Sequence, residues 1–219
     1  MNGHYPVDLN GARLWLLPEK AIYWPAQRAL LIADAHFGKA AAYRRLGQPV
    51  PHGTTASNLA VLDSLLAQHE CEQLIFLGDF LHAPGSQGPA TLAALTAWRE
   101  RHARLAVTLI RGNHDRRAGD PPAALDFQVV SEPWVVGPLA LQHEPMPHPQ
   151  LPVLAGHVHP VYRLQGRGRQ SLRLPCFVLG EQMSLLPAFG AFTGGYAVRP
   201  GAEENVYVVG DGHVWPVGR

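Results

Sequence analysis

Ala29-Leu30-Leu31-Ile32-Ala33-Asp34-Ala35-His36 and Leu74-Ile75-Phe76-Leu77-Gly78-Asp79 are stretches in which an unbroken apolar run stops at residue types that bind metal ions. A short apolar run bounded by a turn residue reads as a buried strand. The pattern recurs along the chain. Leu105 to Ile110 runs into Gly112-Asn113-His114-Asp115, Pro138 to Leu141 leads to His143, and Leu151 to Ala155 leads to Gly156-His157-Val158-His159. In open α/β sheets, ligands bind beyond the carboxyl ends of the strands. The two rules together gather two Asp, one Asn and five His at one edge of one sheet, which is the make-up of a two-metal site.

Outward from these strands the chain alternates. Leu14 to Leu17 and Ala21 to Trp24 read as a strand pair across Pro18-Glu19-Lys20. Gly38 to Leu46 reads as a short helix closed by Gly47 and Pro49. Thr54 to His69 is the clearest helix, with Leu59, Leu62, Leu65 and Leu66 at helical spacing. Thr91 to His102 follows as another helix after a Pro/Gly-rich loop, and Arg116 to Pro122 reads as a polar loop. From Phe127 onward short β-like runs dominate: 127–130, 134–136, 153–155, 172–174, 177–179, 206–209 and 214–217. Strand and helix in turn, then strands, give an α/β fold of α+β four-layer type: two mixed β-sheets packed as a sandwich flanked by helices. A length of 219 residues with no long linker is read as one domain spanning 1–219.

Composition narrows the class. With 18 basic and 17 acidic residues the net charge is +1, so no global basic field marks a tight, non-specific nucleic-acid binder. Lys20 and Lys39 are the only lysines, and the arginine bias suits bidentate phosphate contacts as well as it suits a G/C-rich coding sequence. Two lone cysteines, Cys71 and Cys176, make no disulfide framework and fit a reducing compartment. Neither a signal peptide nor a membrane span is legible, and a cytoplasmic location without membrane association is expected.

Taken singly, the motifs are ambiguous. On an extended segment Asp34 and His36, or His157 and His159, point to the same side and can hold a metal. Gly78-Asp79 alone reads as well as a turn, and His143 alone as a strand-end imidazole. Asn113 offers a neutral oxygen, His114 can face a substrate, and Asp115 can hydrogen-bond that imidazole and set its tautomer. Their joint occurrence, in order after apolar runs, is what carries weight.

Asp-x-His, Gly-Asp, Gly-Asn-His-Asp, a lone His and Gly-His-x-His in this order resemble the calcineurin-like metallophosphoesterase superfamily over residues 29 to 160. The resemblance implies that Asp34, His36 and His159 hold one metal and that Asn113, His143 and His157 hold the other, with Asp79 bridging them. It implies His114 as the group facing the leaving oxygen, oriented by Asp115. Two divalent ions can activate a water and grip a phosphoryl oxygen. The ligand set lacks thiolate, which favours manganese, iron or zinc without choosing among them; the resemblance makes manganese the expected ion.

For substrate, protein phosphatases of this superfamily continue Gly-Asp to a further Asp and then an Arg that clamps a monoester. Here the run is Gly78-Asp79-Phe80-Leu81-His82-Ala83-Pro84, so His82 stands in that place and no Arg follows. That leans towards a diester. The strings around Asp34-Ala35-His36-Phe37-Gly38-Lys39 and Leu141-Gln142-His143-Glu144-Pro145 look closer to the bacterial ligase-associated metallophosphoesterase (PdeM) branch. This resemblance implies a DNA-repair-linked phosphodiesterase and endonuclease on single-stranded DNA, working alongside a DNA ligase and helicase. His82, Arg111 and Arg116 are the candidate substrate contacts. Arg44, Arg45, Arg117, Arg163, Arg167, Arg169 and Arg173 are further arginines that can line a phosphate-tracking groove or an ordinary solvated surface. A nucleotide or pyrophosphate hydrolase and a non-catalytic metal-stabilised module remain as alternatives.

Overall fold

The computed structural model describes residues 3–50, 53–166, 168 and 170–218. The first sheet holds β1 (Tyr5–Leu9), β2 (Ala12–Leu17), β3 (Ala21–Trp24), β4 (Ala29–Ile32), β5 (Gln73–Leu77), β6 (Ala106–Ile110) and β7 (Gln128–Val130) in chain order. Neighbours are antiparallel as far as β4 and parallel from β4 to β7. Parallel pairs require crossovers, which the helices α1 (Lys39–Arg45), α2 (Thr54–Gln68), α3 (Pro89–Arg101) and α4 (Asn113–Ala118) supply. All the loops leaving β4, β5 and β6 therefore emerge at one edge.

The second sheet is built from β8 (Trp134–Val136), β9 (Leu139–Gln142), β10 (Val153–Ala155), β11 (Pro160–Gln165), β12 (Ser171–Leu179), β13 (Met183–Leu185), β14 (Tyr196–Ala197), β15 (Asn205–Gly210) and β16 (His213–Pro216). Its order is β14-β11-β12-β13-β10-β9-β8, with β15 and β16 branching from β12. The β9–β10 and β10–β13 pairs are parallel, so this sheet is mixed as well. The runs expected at 172–174 and 177–179 fuse into the single strand β12. Its first half pairs with β11 up to Pro175, and from Cys176 on it pairs with β15. Pro175 thus sits where partners change.

The continuous apolar runs of β4 and β5 are explained by burial on both faces. Leu30, Ile32, Leu74 and Phe76 pack against Leu59, Leu62 and Leu65 of α2 and Leu95 and Trp98 of α3. The alternate residues Leu31, Ile75 and Leu77 meet Leu139, Leu141, Leu154 and Phe177 of the facing sheet. The helices flank the sandwich on one side: among the described residues no α-helix follows Ala118, and the outer face of the second sheet is filled by its own cluster around Cys176, Val178, Val206 and Val208. The polar loop expected over Arg116 to Pro122 is in part helix: α4 runs through Ala118, and the Asp115 carboxylate accepts the Gly112 N–H (3.0 Å) and caps its first turn. Among the described residues no helix is long and apolar enough to cross a membrane.

Candidate metal centre

The expected side chains converge, but not by simple extended geometry. Asp34, His36, Asp79, His157 and His159 all have positive φ, between 46° and 68°. Left-handed backbone in a residue with a Cβ costs on the order of 1–3 kcal/mol and persists only where surroundings hold it. Here the neighbouring loops do so. Asp34 N–H donates to Gly78 O (3.3 Å), His36 N–H to Asp79 O (2.9 Å) and Phe37 N–H to Phe80 O (2.8 Å). Phe189 N–H and Gly190 N–H close the other side on Ala33 O (2.8 Å) and Asp34 O (3.2 Å). Gly78 is the one residue type that fits its place: φ is +75°, and a Cβ would lie 2.2 Å from the His143 ring.

Two ligand clusters share one carboxylate. In the first, His36 Nε2 and His159 Nε2 lie 3.3 Å apart, with Asp34 Oδ1 3.2 Å from His159 Nε2 and Asp79 Oδ2 3.8 Å from His36 Nε2. In the second, Asn113 Oδ1 is 2.9 Å from His143 Nε2 and 3.1 Å from His157 Nδ1, and the two ring nitrogens are 3.1 Å apart. Asp79 Oδ1 completes it at 3.4 Å from His143 Nε2. His157 and His159, read as a same-side pair, go to different clusters because the chain turns left-handed at each.

This donor set fits a pair of cations. Asp34 Oδ1 is buried and accepts no hydrogen bond. His143 Nδ1–H is committed to Leu77 O (3.0 Å), so its Nε2 lone pair faces another imidazole nitrogen and an amide oxygen. Lone pairs that converge without protons between them need a positive charge among them. Burial, with Asp34's negative charge next, raises the Asp79 carboxyl to about 8. Burial, then the Lys39 charge, pushes His36 far down, and burial lowers His143, so both imidazoles are neutral and able to ligate.

The outer contacts contain residues that no motif announced. Glu132 accepts the backbone N–H of both His143 (2.8 Å) and Glu144 (2.9 Å), holding the ligand-bearing turn. The Asn58 amide, buried on α2, donates to Ala35 O (3.5 Å) and accepts from Ala191 N–H (3.1 Å). Lys20 Nζ donates to Phe189 O (2.7 Å), and burial lowers its pKa to about 8. Each is a long-range tie with no local signature in the chain.

One expected contact is corrected, and two expected substrate contacts are found paired with carboxylates. Asp115 does not touch the His114 imidazole. Its buried carboxylate accepts the N–H groups of Phe80 (3.3 Å), Leu81 (3.0 Å) and Gly112, bracing two site loops. The tautomer of His114 is set instead by its Nδ1–H donating to His82 O (2.6 Å), which leaves Nε2 3.9 Å from Asp79 Oδ2. Arg111 grips Asp120 bidentately at 2.8 and 2.7 Å, and Arg116 spans Glu132 (3.5 Å) and Glu144 (2.8 Å), so both guanidinium groups are paired with carboxylates. His82 does reach the site. Its ring stacks on His114 at 4.8 Å and its Nδ1 is 3.4 Å from His36 Nδ1. Burial, then the Lys39 charge, lowers its pKa to about 4. Arg173 donates to Gly195 O (2.8 Å) and Arg45 to Gly85 O (3.0 Å), while Arg167 and Arg169 lie outside the described residues.

A two-sheet sandwich carrying paired His/Asp/Asn clusters at its strand ends defines a metal-dependent hydrolase. The chain belongs to the calcineurin-like phosphoesterase family, whose pattern matches residues 27–157, and it is a metal-dependent phosphoesterase. It is similar to the crystal structure of nuclease MPE from Pseudomonas putida, with 60% identity and a TM-score of 0.87 over 98% of this chain and 100% of the other. A protein of unknown function from Aquifex aeolicus, AQ665, is similar at 19% identity over 64% of this chain and 82% of its own, with a TM-score of 0.41. No curated protein matches the chain.

Proposed function

We propose that this single-domain protein is a binuclear-metal phosphodiesterase that cuts nucleic acid, with single-stranded DNA as its substrate and DNA repair, beside a ligase and a helicase, as its setting. The observation that carries the diester reading is His82. Where monoesterases of the superfamily carry a further Asp and then an Arg that neutralises a dianion, this chain has His82 and Ala83, and Arg111 and Arg116 are matched by carboxylates. Likeness over the full length to a nuclease supports a nucleic-acid substrate.

Asp34, His36 and His159 would hold one ion, Asn113, His143 and His157 the other, and Asp79 both. When bound, divalent ions (manganese in this reading) supply an activated water and neutralise charge on the phosphoryl oxygens. His114 Nε2 faces the centre; because Nδ1–H is held by His82 O, this nitrogen would hydrogen-bond and protonate the leaving oxygen from the doubly protonated ring. Purified protein with Mn²⁺ should nick and fragment circular single-stranded DNA and hydrolyse bis(p-nitrophenyl) phosphate faster than p-nitrophenyl phosphate. Diester hydrolysis without DNA cleavage under Mn²⁺, Fe²⁺ or Zn²⁺ would move the substrate to small molecules. No diester hydrolysis at all would refute the reading.

A further inference from the structure

A line of aromatic rings leads away from the metal ligands. His114 stacks on His82 (centroids 4.8 Å, planes 21° apart), and His82 lies against Tyr43 (5.6 Å, 34°). Tyr43 in turn meets Phe192 edge-on (6.0 Å, 88°). These rings come from distant parts of the chain: the loop after β5, the start of α4, helix α1 and the segment after β13. Only the tertiary fold assembles them.

Core packing does not account for the outer pair. Tyr43 and Phe192 are both part-exposed and belong to none of the hydrophobic clusters that build the sandwich. A cation accompanies them. Lys39 Nζ lies 6.0 Å from the Tyr43 ring centroid, and Lys39 and Phe192 line a small crevice together with the ligand His36. Aromatic faces with one ammonium, continuous with a centre that handles phosphoesters, match the chemistry of a nucleotide: a flat base joined to an anionic linkage.

We infer that Tyr43 and Phe192 form a cornered stacking platform for one unpaired base beside the scissile phosphate, one ring stacking on the base's face and the other, perpendicular to it, closing its side, with Lys39 meeting the strand's backbone. The inference rests on the nucleic-acid reading above and deepens it. A base inside a duplex is already stacked on its neighbours and must be extruded before it reaches such a platform, whereas a single strand offers its bases freely. The platform is thus a physical source of preference for single strands.

The test compares two short DNA strands of equal length and charge, one carrying bases throughout and one abasic around the cleavage position, each with Mn²⁺. The wild-type enzyme should cut the base-bearing strand with a kcat/KM about 5- to 150-fold higher, the range that stacking of one base supplies. Tyr43→Leu and Phe192→Leu should bring that ratio towards 1, chiefly through KM, and Tyr43→Phe should keep it. Equal cleavage of the two strands by the wild-type enzyme, or wild-type ratios in both leucine variants, would overturn the inference while leaving the nucleic-acid reading intact. Cleavage of neither strand beside hydrolysis of bis(p-nitrophenyl) phosphate would overturn both. The wild-type comparison needs no variant, so a folding defect does not shield the idea. Melting temperature and its shift with Mn²⁺ report whether each variant is folded.

Discussion

Asp79→Asn tests the shared carboxylate in both its ion-free and its ion-bound state. The side chain is 2% exposed and places one oxygen 3.4 Å from His143 Nε2 and the other 3.8 Å from His36 Nε2. Burial and the Asp34 charge raise its pKa from 3.8 to about 8. Between those values the folded protein keeps a proton that the unfolded chain releases. Ion-free stability therefore falls as pH rises through that window, and the fall is complete above a pH of about 8. At about 1.4 kcal/mol per pH unit the full effect is on the order of 5 kcal/mol. Asparagine has no charge to bury and still offers an oxygen to the His114 N–H, which donates to Asp79 at 2.8 Å. In EDTA at a pH of about 9, the variant should melt no lower than wild type and show a flatter pH dependence. Metal reverses the order. Two ions each at about 100 times their Kd stabilise by roughly 5 kcal/mol together, or about 10–20 °C for a chain of this size. The variant, lacking the carboxylate that both clusters use, should keep less than half of that shift. Differential scanning fluorimetry between pH values of about 6 and 9, with EDTA or Mn²⁺, reads both effects. A variant that melts well below wild type in EDTA at a pH of about 9, yet keeps the full Mn²⁺ shift, would refute the reasoning.

His114→Ala keeps the backbone N–H that Asp79 needs and removes only the imidazole, so kcat on DNA should fall by about 10²- to 10⁴-fold with the Mn²⁺ melting shift retained; turnover at the wild-type rate contradicts the role. Glu132→Ala leaves two backbone N–H groups without their acceptor, and calorimetry should show metal affinity reduced by about 10- to 100-fold and stability by about 1–3 kcal/mol. The Arg111–Asp120 pair is partly exposed, so Arg111→Ala should change stability by less than about 1 kcal/mol, and DNA cleavage should stay close to wild type; a large rise in KM would return that guanidinium to the substrate. Leu62, fully buried between α2 and the first sheet, should cost about 2–5 kcal/mol when cut to Ala, read as a lower denaturant midpoint with unchanged slope.

Much of the site was legible because its ligands are local events. A strand that ends at a sheet edge places the next few residues there whatever the rest of the chain does, so Asp34, His36, Asp79, Asn113, His143, His157 and His159 could be named from strand ends alone. Their partition between two ions came from family resemblance; the structure brings Asp34, His36 and His159 together, and Asn113 to His143 and His157, although the extended geometry argued for Asp34 and His36 does not hold. Asp115 shows the limit of short-range reasoning. Adjacency to His114 suggested a contact, but the side chain turns inward to the backbone of residues 80, 81 and 112.

The alternation of strand and helix through β6, the mixed sandwich and the candidate ligands follow from the sequence by itself, because apolar periodicity and turn residues act over a few positions; β1, β11, β13, β14 and α4 do not follow from it. Other features depend on contacts between residues more than a hundred positions apart. The Asp34 carboxylate takes the His157 N–H (2.9 Å) across the two sheets, and Lys20 reaches Phe189 O. The Tyr43–Phe192 ring pair likewise joins the first crossover helix to the C-terminal segment. Only the packing of one sheet on the other decides such distances. That packing also pairs Arg111 and Arg116 with carboxylates and sets His82 beside His114.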